Sequence, residues 1–351
     1  MFHLTSYYTT IHYYKMNAAS PYHTNEHPFP TISPTFNRTF SFKRRSLESE
    51  FNSASSCNKN LMKLFRIPRR DSSPSHYMRK TQKSKTLHLK KSHFPFTTTS
   101  IIHSSVKTFQ NPEHRDYMED ITVIKHCFLK NPSTHLFCVF DGHGGNECAK
   151  LSEVFFPDIF AHMLKEEPNK IAKCLYKSFI KLDQEAQKEN CITVGNTATV
   201  LYIHKKQLYC ANVGDSSCCL VSSNQARIIS YDDKCNDPQE VKRVKALGGQ
   251  IIDNRLEGVL AMTRAIGDFD LKDCGLIAKP HIYQCEITRN DRFCVIASDG
   301  IWDVVNSDDV FNICEREYNC DVIVEKIVNL AIENGSQDNI SCIVVALNSY
   351  N

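Results

Sequence analysis

The chain has 351 residues, 41% hydrophobic and 23% charged, a balance that fits one or two globular domains and argues against a fibrous protein. It holds no run of eighteen uncharged apolar residues, so no membrane-spanning helix is expected. The net charge of +3 hides a division: residues 1–100 carry 16 Lys and Arg against 4 Asp and Glu, and the remainder carries 26 against 35.

The first hundred residues are rich in Ser, Thr, His and Pro, with short basic clusters at 42–45 and 66–70 and little hydrophobic periodicity. They read as a basic, disordered leader. An organelle address and a nuclear signal remain open for it, because organelle transit peptides are also Ser-rich, basic and poor in acid. It has no continuous apolar stretch of the secretory kind. An intracellular protein is expected, in cytoplasm or nucleus, with organelle import through the leader left open. The leader shows no recognisable nucleic-acid module, so no nucleic-acid partner is expected.

From residue 101 the texture changes to that of a folded body, 101–351. Strand-like runs occupy 119–128 and 135–141, followed by helical patterns over 146–165 and 171–189. Runs at 197–204 and 207–214, joined by Lys205-Lys206, and a third at 217–223 have hairpin texture. A helix is expected over 237–247, stopped by Gly248-Gly249, then a buried strand at 292–298, helices at 307–317 and 321–333, and a last strand at 339–347. Hairpins with helices inserted in pairs predict an α+β layered domain, because regular β-α alternation is missing. The 16 cysteines include no C-x-x-C pair, and many sit in apolar runs, as Cys138 and Cys342 do. They read as small buried hydrophobes in a reducing compartment.

The aspartates carry the chemistry. Asp141 ends the apolar run LFCVF and is followed by Gly142-His143-Gly144-Gly145. Asp299 ends CVIAS and precedes Gly300, and Asp215 ends CANVG. Asp338-Asn339 opens the final strand and Glu119-Asp120 an early one. A single Asp-Gly is usually a turn. Several carboxylates at the edge of one core are costly unless paired, hydrogen-bonded or metal-bound. Oxygen ligands without clustered His or Cys favour Mg²⁺ or Mn²⁺ over Zn²⁺, and a carboxylate group of this size can hold two ions suited to phosphate-ester hydrolysis.

In order, RDYMED (115–120), VFDGHGG (139–145), GNTATV (195–200), ANVGDSS (211–217), LAMTRAIGD (260–268), ASDGIWDVV (297–305) and SQDNIS (336–341) resemble the motifs of the metal-dependent protein phosphatase 2C family. The resemblance spans 103–347 and none of the leader. It implies a four-layer α-β-β-α sandwich, two antiparallel sheets flanked by helix pairs, and a protein serine/threonine phosphatase acting as a monomer on phosphorylated proteins. It places the two-metal centre on Asp141, the Gly142 carbonyl, Asp299 and Asp338. Glu119 and Asp120 resemble the pair that contacts metal-bound waters, and Asp215 and Asp303, with Asp299, resemble a weaker third site. Arg115 matches the arginine that grips the substrate phosphate, and His143 the general acid. The implied nucleophile is a hydroxide bridging the ions.

Thr263-Arg264-Ala265 and Gly267-Asp268 match a segment expected to be structural, and Trp302 is expected to pack in the core. The sequence departs from the family at Asp232-Asp233-Lys234-Cys235, where Asp-His-Lys-Pro is usual, at Ser217, where Arg is usual, and at Thr263, where Ser is usual. None of these removes a metal ligand, His143 or Arg115. The rival reading is a catalytically silent binding protein that kept the fold.

Overall fold

A computed structural model gives the structure of residues 102–347; the expectations for residues 1–100 lie outside the described residues. The described chain runs β1 (Ser104–Phe109), β2 (Ile121–Lys125), β3 (Thr134–Phe140), β4 (Gly142–His143), α1 (Glu147–Glu166), α2 (Ile171–Lys188), β5 (Gly195–Asn196), β6 (Ala198–His204), β7 (Gln207–Val213), β8 (Ser217–Ser222) and β9 (Ala226–Ile228). It continues through α3 (Pro238–Ala246), β10 (Ile251–Ile252), β11 (Arg255–Leu256), β12 (Ile266–Gly267), β13 (His281–Glu286), β14 (Asp291–Ala297), α4 (Asp299–Trp302), α5 (Ser307–Arg316), α6 (Cys320–Glu333) and β15 (Ile340–Ala346).

Two five-stranded antiparallel sheets dominate, one ordered β1-β15-β14-β8-β9 and the other β13-β7-β6-β3-β2. The alternation along β3 shows how they stack. Leu136, Cys138 and Phe140 join Phe156, Phe160, Phe179 and Leu182 of α1 and α2. Phe137 and Val139 point the other way, against Cys218, Leu220, Ile296 and Ile343 of the facing sheet. Both faces of this strand are buried, so its sequence is a continuous apolar run. On the outer face of the β1-β15-β14-β8-β9 sheet, Val310, Ile323 and Ile327 of α5 and α6 pack on Phe293, Val295 and Val344. The α-β-β-α sandwich is therefore the observed architecture.

Helix boundaries follow capping chemistry. Asp237 accepts the N–H groups of Gln239 and Glu240 at the start of α3, with Pro238 in the first turn. Asn306 and Asp309 form a capping box on α5. Lys205 takes φ 57° in the turn between β6 and β7, the left-handed geometry that suits the twist of a tight hairpin. A small fourth core, including Val244, Leu256, Leu260 and Met262, holds α3 and the β10–β11 hairpin.

Candidate active site

The site is built at strand ends. Asp141 follows β3, and its backbone is held by Thr197, whose N–H donates to the Asp141 carbonyl at 2.8 Å. A Cβ at Gly142 would come within 2.7 Å of the Glu119 carbonyl oxygen, so only glycine allows these two segments to touch. Asp299 opens α4 as β14 ends. A Cβ at Gly300 would meet the Asn339 carbonyl at 2.1 Å, which brings the starts of α4 and β15 together.

Asn339 ties this arrangement to the chain before β2. Its side chain accepts the Glu119 N–H at 2.8 Å and donates to the carbonyls of Gln110 at 2.7 Å and Tyr117 at 3.2 Å. Glu119 and Asp120 are thereby buried beside Asp141. The Glu119 carboxylate accepts the Gly145 N–H at 2.6 Å, which steadies the Gly-His-Gly-Gly turn. Arg115 reaches the Asp338 carboxylate from the half-exposed rim.

The electrostatics mark a site in which negative charge outweighs the Arg115 and Lys234 cations at its rim. Burial pushes the Asp120 and Asp215 carboxyls each up to about 6. Burial, then the charges of Asp120, Asp299, Asp215 and Asp338, push Asp141 well above the usual carboxylate range. Asp299 is raised by burial and by Asp215, Asp338, Asp303 and Asp120. One oxygen of Asp120 and one of Asp215 are buried with no hydrogen-bond partner in the protein. Mutually repelling carboxylates with orphaned oxygens fit hard divalent cations. Of the predicted acidic and glycine positions, Asp120, Asp141, Asp215, Asp299 and Asp338 lie near enough for their charges to act on one another, Gly142 lies against Glu119, and Glu119 caps the turn. Asp303 lies at the periphery, where the Lys234 ammonium is 2.8 Å from its carboxylate.

His143 has a partner that the sequence reading missed. Its Nε2 is 2.7 Å from Asp268 Oδ2. Asp268 sits in left-handed backbone, φ 49°, and its N–H donates to the Val194 carbonyl at 3.0 Å. Strand β5 lies between β4 and β12, and at Gly195 a Cβ would meet Asp268 Oδ2 at 2.0 Å and His143 Nε2 at 2.6 Å. A glycine there leaves room for the pair. The segment taken as structural therefore has two parts, since Arg264 is indeed structural.

Among the described residues, the group whose ligand atoms all lie within 4.8 Å of one another is a different one, Asp233, Glu240 and His281. Its charge is already balanced: Arg264 lies 3.2 Å from Asp233 and 2.7 Å from Glu240, and Arg243 lies 2.6 Å from Glu240. We read it as an ion-pair network that anchors α3. It also explains one departure from the family pattern. Asp233 is fully buried, accepts the Gly214 N–H at 3.0 Å and is 2.8 Å from His281 Nε2, so its charge is satisfied. Trp302 donates its indole N–H to the carbonyls of Ser217 and Ala297, a packing role as expected.

A family profile described as protein phosphatase 2C matches residues 104–340. Protein phosphatase 2C homolog 1 of Saccharomyces cerevisiae is 31% identical over 260 residues, covering 68% of this chain and 91% of that protein. A protein phosphatase 2C relative from Arabidopsis thaliana is 36% identical over 236 residues, covering 66% of this chain and 56% of its own length. A solved structure described as a C. elegans sex determining protein shares the fold with a TM-score of 0.64 and 28% identity, covering 71% of this chain and 66% of that one. Fold, carboxylate cluster and relatives define a metal-dependent serine/threonine phosphatase, a phosphoric monoester hydrolase. The chain belongs to the protein phosphatase 2C family.

Proposed function

We propose that the chain removes phosphate from phosphoserine and phosphothreonine in protein substrates through a two-metal centre. The observation that carries this reading is the convergence of mutually repelling carboxylates, two of them with orphaned buried oxygens, on the ends of strands from both sheets. Asp141, Asp299, Asp338 and the Gly142 carbonyl would hold two Mg²⁺ or Mn²⁺ ions, with Glu119 and Asp120 ordering water around them. Asp215, Asp303 and Asp299 would form a weaker third site, in which the Lys234 ammonium is a competitor for Asp303. When bound, the ions supply an activated water and positive charge for the phosphoryl oxygens.

The protein's own groups do the rest. Arg115, held by Asp338, offers a planar guanidinium to two phosphate oxygens. His143 donates a proton to the leaving serine or threonine oxygen, and Asp268 fixes the orientation of the ring. No covalent enzyme intermediate is required, so the buried cysteines have no nucleophilic role.

Phosphate release from a phosphothreonine peptide by the full chain should require Mn²⁺ or Mg²⁺ and be abolished by chelation. No release with either ion, from folded protein, would favour the catalytically silent binding protein. His143→Ala should slow release from the peptide by about 10²-fold, the lower end of general-acid contributions. An aryl phosphate, whose leaving group needs little protonation, should lose much less; equal losses on both would remove the acid role. Asp268→Asn should reproduce the same substrate-dependent split in kcat, by about tenfold on the peptide, with KM little changed. A uniform loss on both substrates would make Asp268 merely structural.

A further inference from the structure

Gly267 and Asp268 are consecutive residues in left-handed backbone, with φ of 84° and 49°. Gly267 tolerates no Cβ, which would meet the Val194 carbonyl oxygen at 2.5 Å. Asp268 does carry a Cβ, in a conformation that disfavours one. Such a backbone persists only where its surroundings hold it. On one side β5 does so, since the Val194 carbonyl accepts the Asp268 N–H at 3.0 Å. Strand β12 is the edge of its three-stranded sheet, so no described strand adjoins its other side.

Helix α2 supplies that side with a carboxylate. Asp183 Oδ1 accepts the Gly267 N–H at 3.0 Å. The same oxygen accepts from the Lys272 ammonium at 2.9 Å, and that ammonium also donates to the Ala265 carbonyl at 2.9 Å. The side chains of Asp183 and Lys272 are only 18% and 17% exposed, so water competes weakly for them. These bonds tie Ala265, Gly267 and Lys272 to one point on α2, and Asp268 lies inside the tied segment. A charged acceptor binds the Gly267 N–H more strongly than a neutral carbonyl would. The ammonium keeps that acceptor in place.

We propose that Asp183 is a positioning residue for the acid pair: clamped by Lys272, it holds β12 so that Asp268 meets His143. The contact it protects is the 2.7 Å approach of Asp268 Oδ2 to His143 Nε2, made in the gap that Gly195 leaves. A small displacement of β12 lengthens that contact and frees the imidazole to turn. Asp183 acts through the backbone and not on the phosphate, so its effect belongs to kcat and to substrates whose leaving group needs a proton. That kinetic effect rests on the proposed acid role of His143, whereas the hold of Asp183 on β12 does not.

The test is a mutant cycle on the Mn²⁺-loaded full chain, with a phosphothreonine peptide and an aryl phosphate as substrates. Asp183→Ala should lower kcat on the peptide about fivefold, with KM little changed and the aryl phosphate much less affected. Asp183→Asn, which keeps a neutral acceptor for the Gly267 N–H, should recover part of the loss. Added to Asp268→Asn, Asp183→Ala should cost nothing further, because the group it positions is already disabled. A second loss that multiplies the first, or equal losses on both substrates, would overturn the positioning role and leave a structural tether. If Asp183→Ala does not fold, Asp183→Asn and Lys272→Met carry the same cycle. Hydrogen exchange on the metal-free protein reads the clamp without activity. The Gly267 amide should exchange about tenfold faster in Asp183→Ala than in the parent, with the amides of β6 unchanged. An unchanged Gly267 rate, or an acceleration shared equally by β6, would overturn the clamp. A missing substrate split in His143→Ala itself would overturn the acid reading and the kinetic role of Asp183 with it, and exchange would then decide the clamp alone.

Discussion

Asp299→Asn should abolish most activity while making the metal-free protein more heat-stable. Asp299 opens α4 facing Asp215, Asp338, Asp303 and Asp120, and burial and these charges raise its carboxyl well above the normal range. Asparagine keeps the shape and removes one of the repelling charges. With ions bound the same change removes an anionic ligand. Losing several kcal/mol of stabilisation at a metal centre corresponds to about 10²–10³-fold in rate. The opposite signs of the two effects make the test discriminating. Turnover on a phosphothreonine peptide, Mn²⁺ binding by calorimetry and thermal melting in chelator are the three readouts. Near-parental turnover, or a fall in metal-free stability, would refute the placement of Asp299 in the metal centre.

The second large effect is a reversal of the usual pH dependence of stability in the metal-free protein. Asp120 and Asp215 have folded-state pKa values of about 6, against 3.8 for the ordinary carboxyl. For a raised acid, the folded state holds its proton more tightly than the unfolded state does. Its contribution is therefore fully present below pH 3.8 and is lost as pH rises through about 6. Asp141 and Asp299, raised further, extend the loss to higher pH. A pKa unit is worth about 1.4 kcal/mol, so the combined effect is on the order of a few kcal/mol. Chelated protein should melt at a lower temperature at pH 8 than at pH 5. Mn²⁺ should raise the melting temperature more at pH 8 than at pH 5, because protons no longer compete for the carboxylates. A chelated melting temperature that rises across this interval, with no Mn²⁺ effect, would show that the carboxylates are not crowded as described.

Both predictions use residues that are legible in the sequence alone. An apolar run ended by Asp-Gly is a local signal. LFCVF is buried on both faces of β3, so no polar residue interrupts it, and Asp141 stands where the burial ends. The same holds for Asp299 after β14. Element positions were legible for a related reason: the strand and helix runs expected at 197–204, 171–189 and 307–317 lie within one or two residues of β6, α2 and α5. Among the strands that were missed, β1 and β13 are sheet edges of mixed, largely half-exposed residues with weak alternation. A four-residue helix such as α4 has too few turns to show a period.

By itself, then, the sequence determined the positions of the main elements, the seven motif segments and the acidic residues at strand ends, because burial period and Asp-Gly stops act over a few neighbouring residues. Tertiary structure alone decided which of those residues meet. Asp268 reaches His143 across 125 positions because β5 aligns β4 and β12 and Gly195 leaves a gap there. Asp233 finds His281 across 48 positions. Such pairings depend on sheet order, register and helix packing, which bring distant residues together with no mark in the chain around either one.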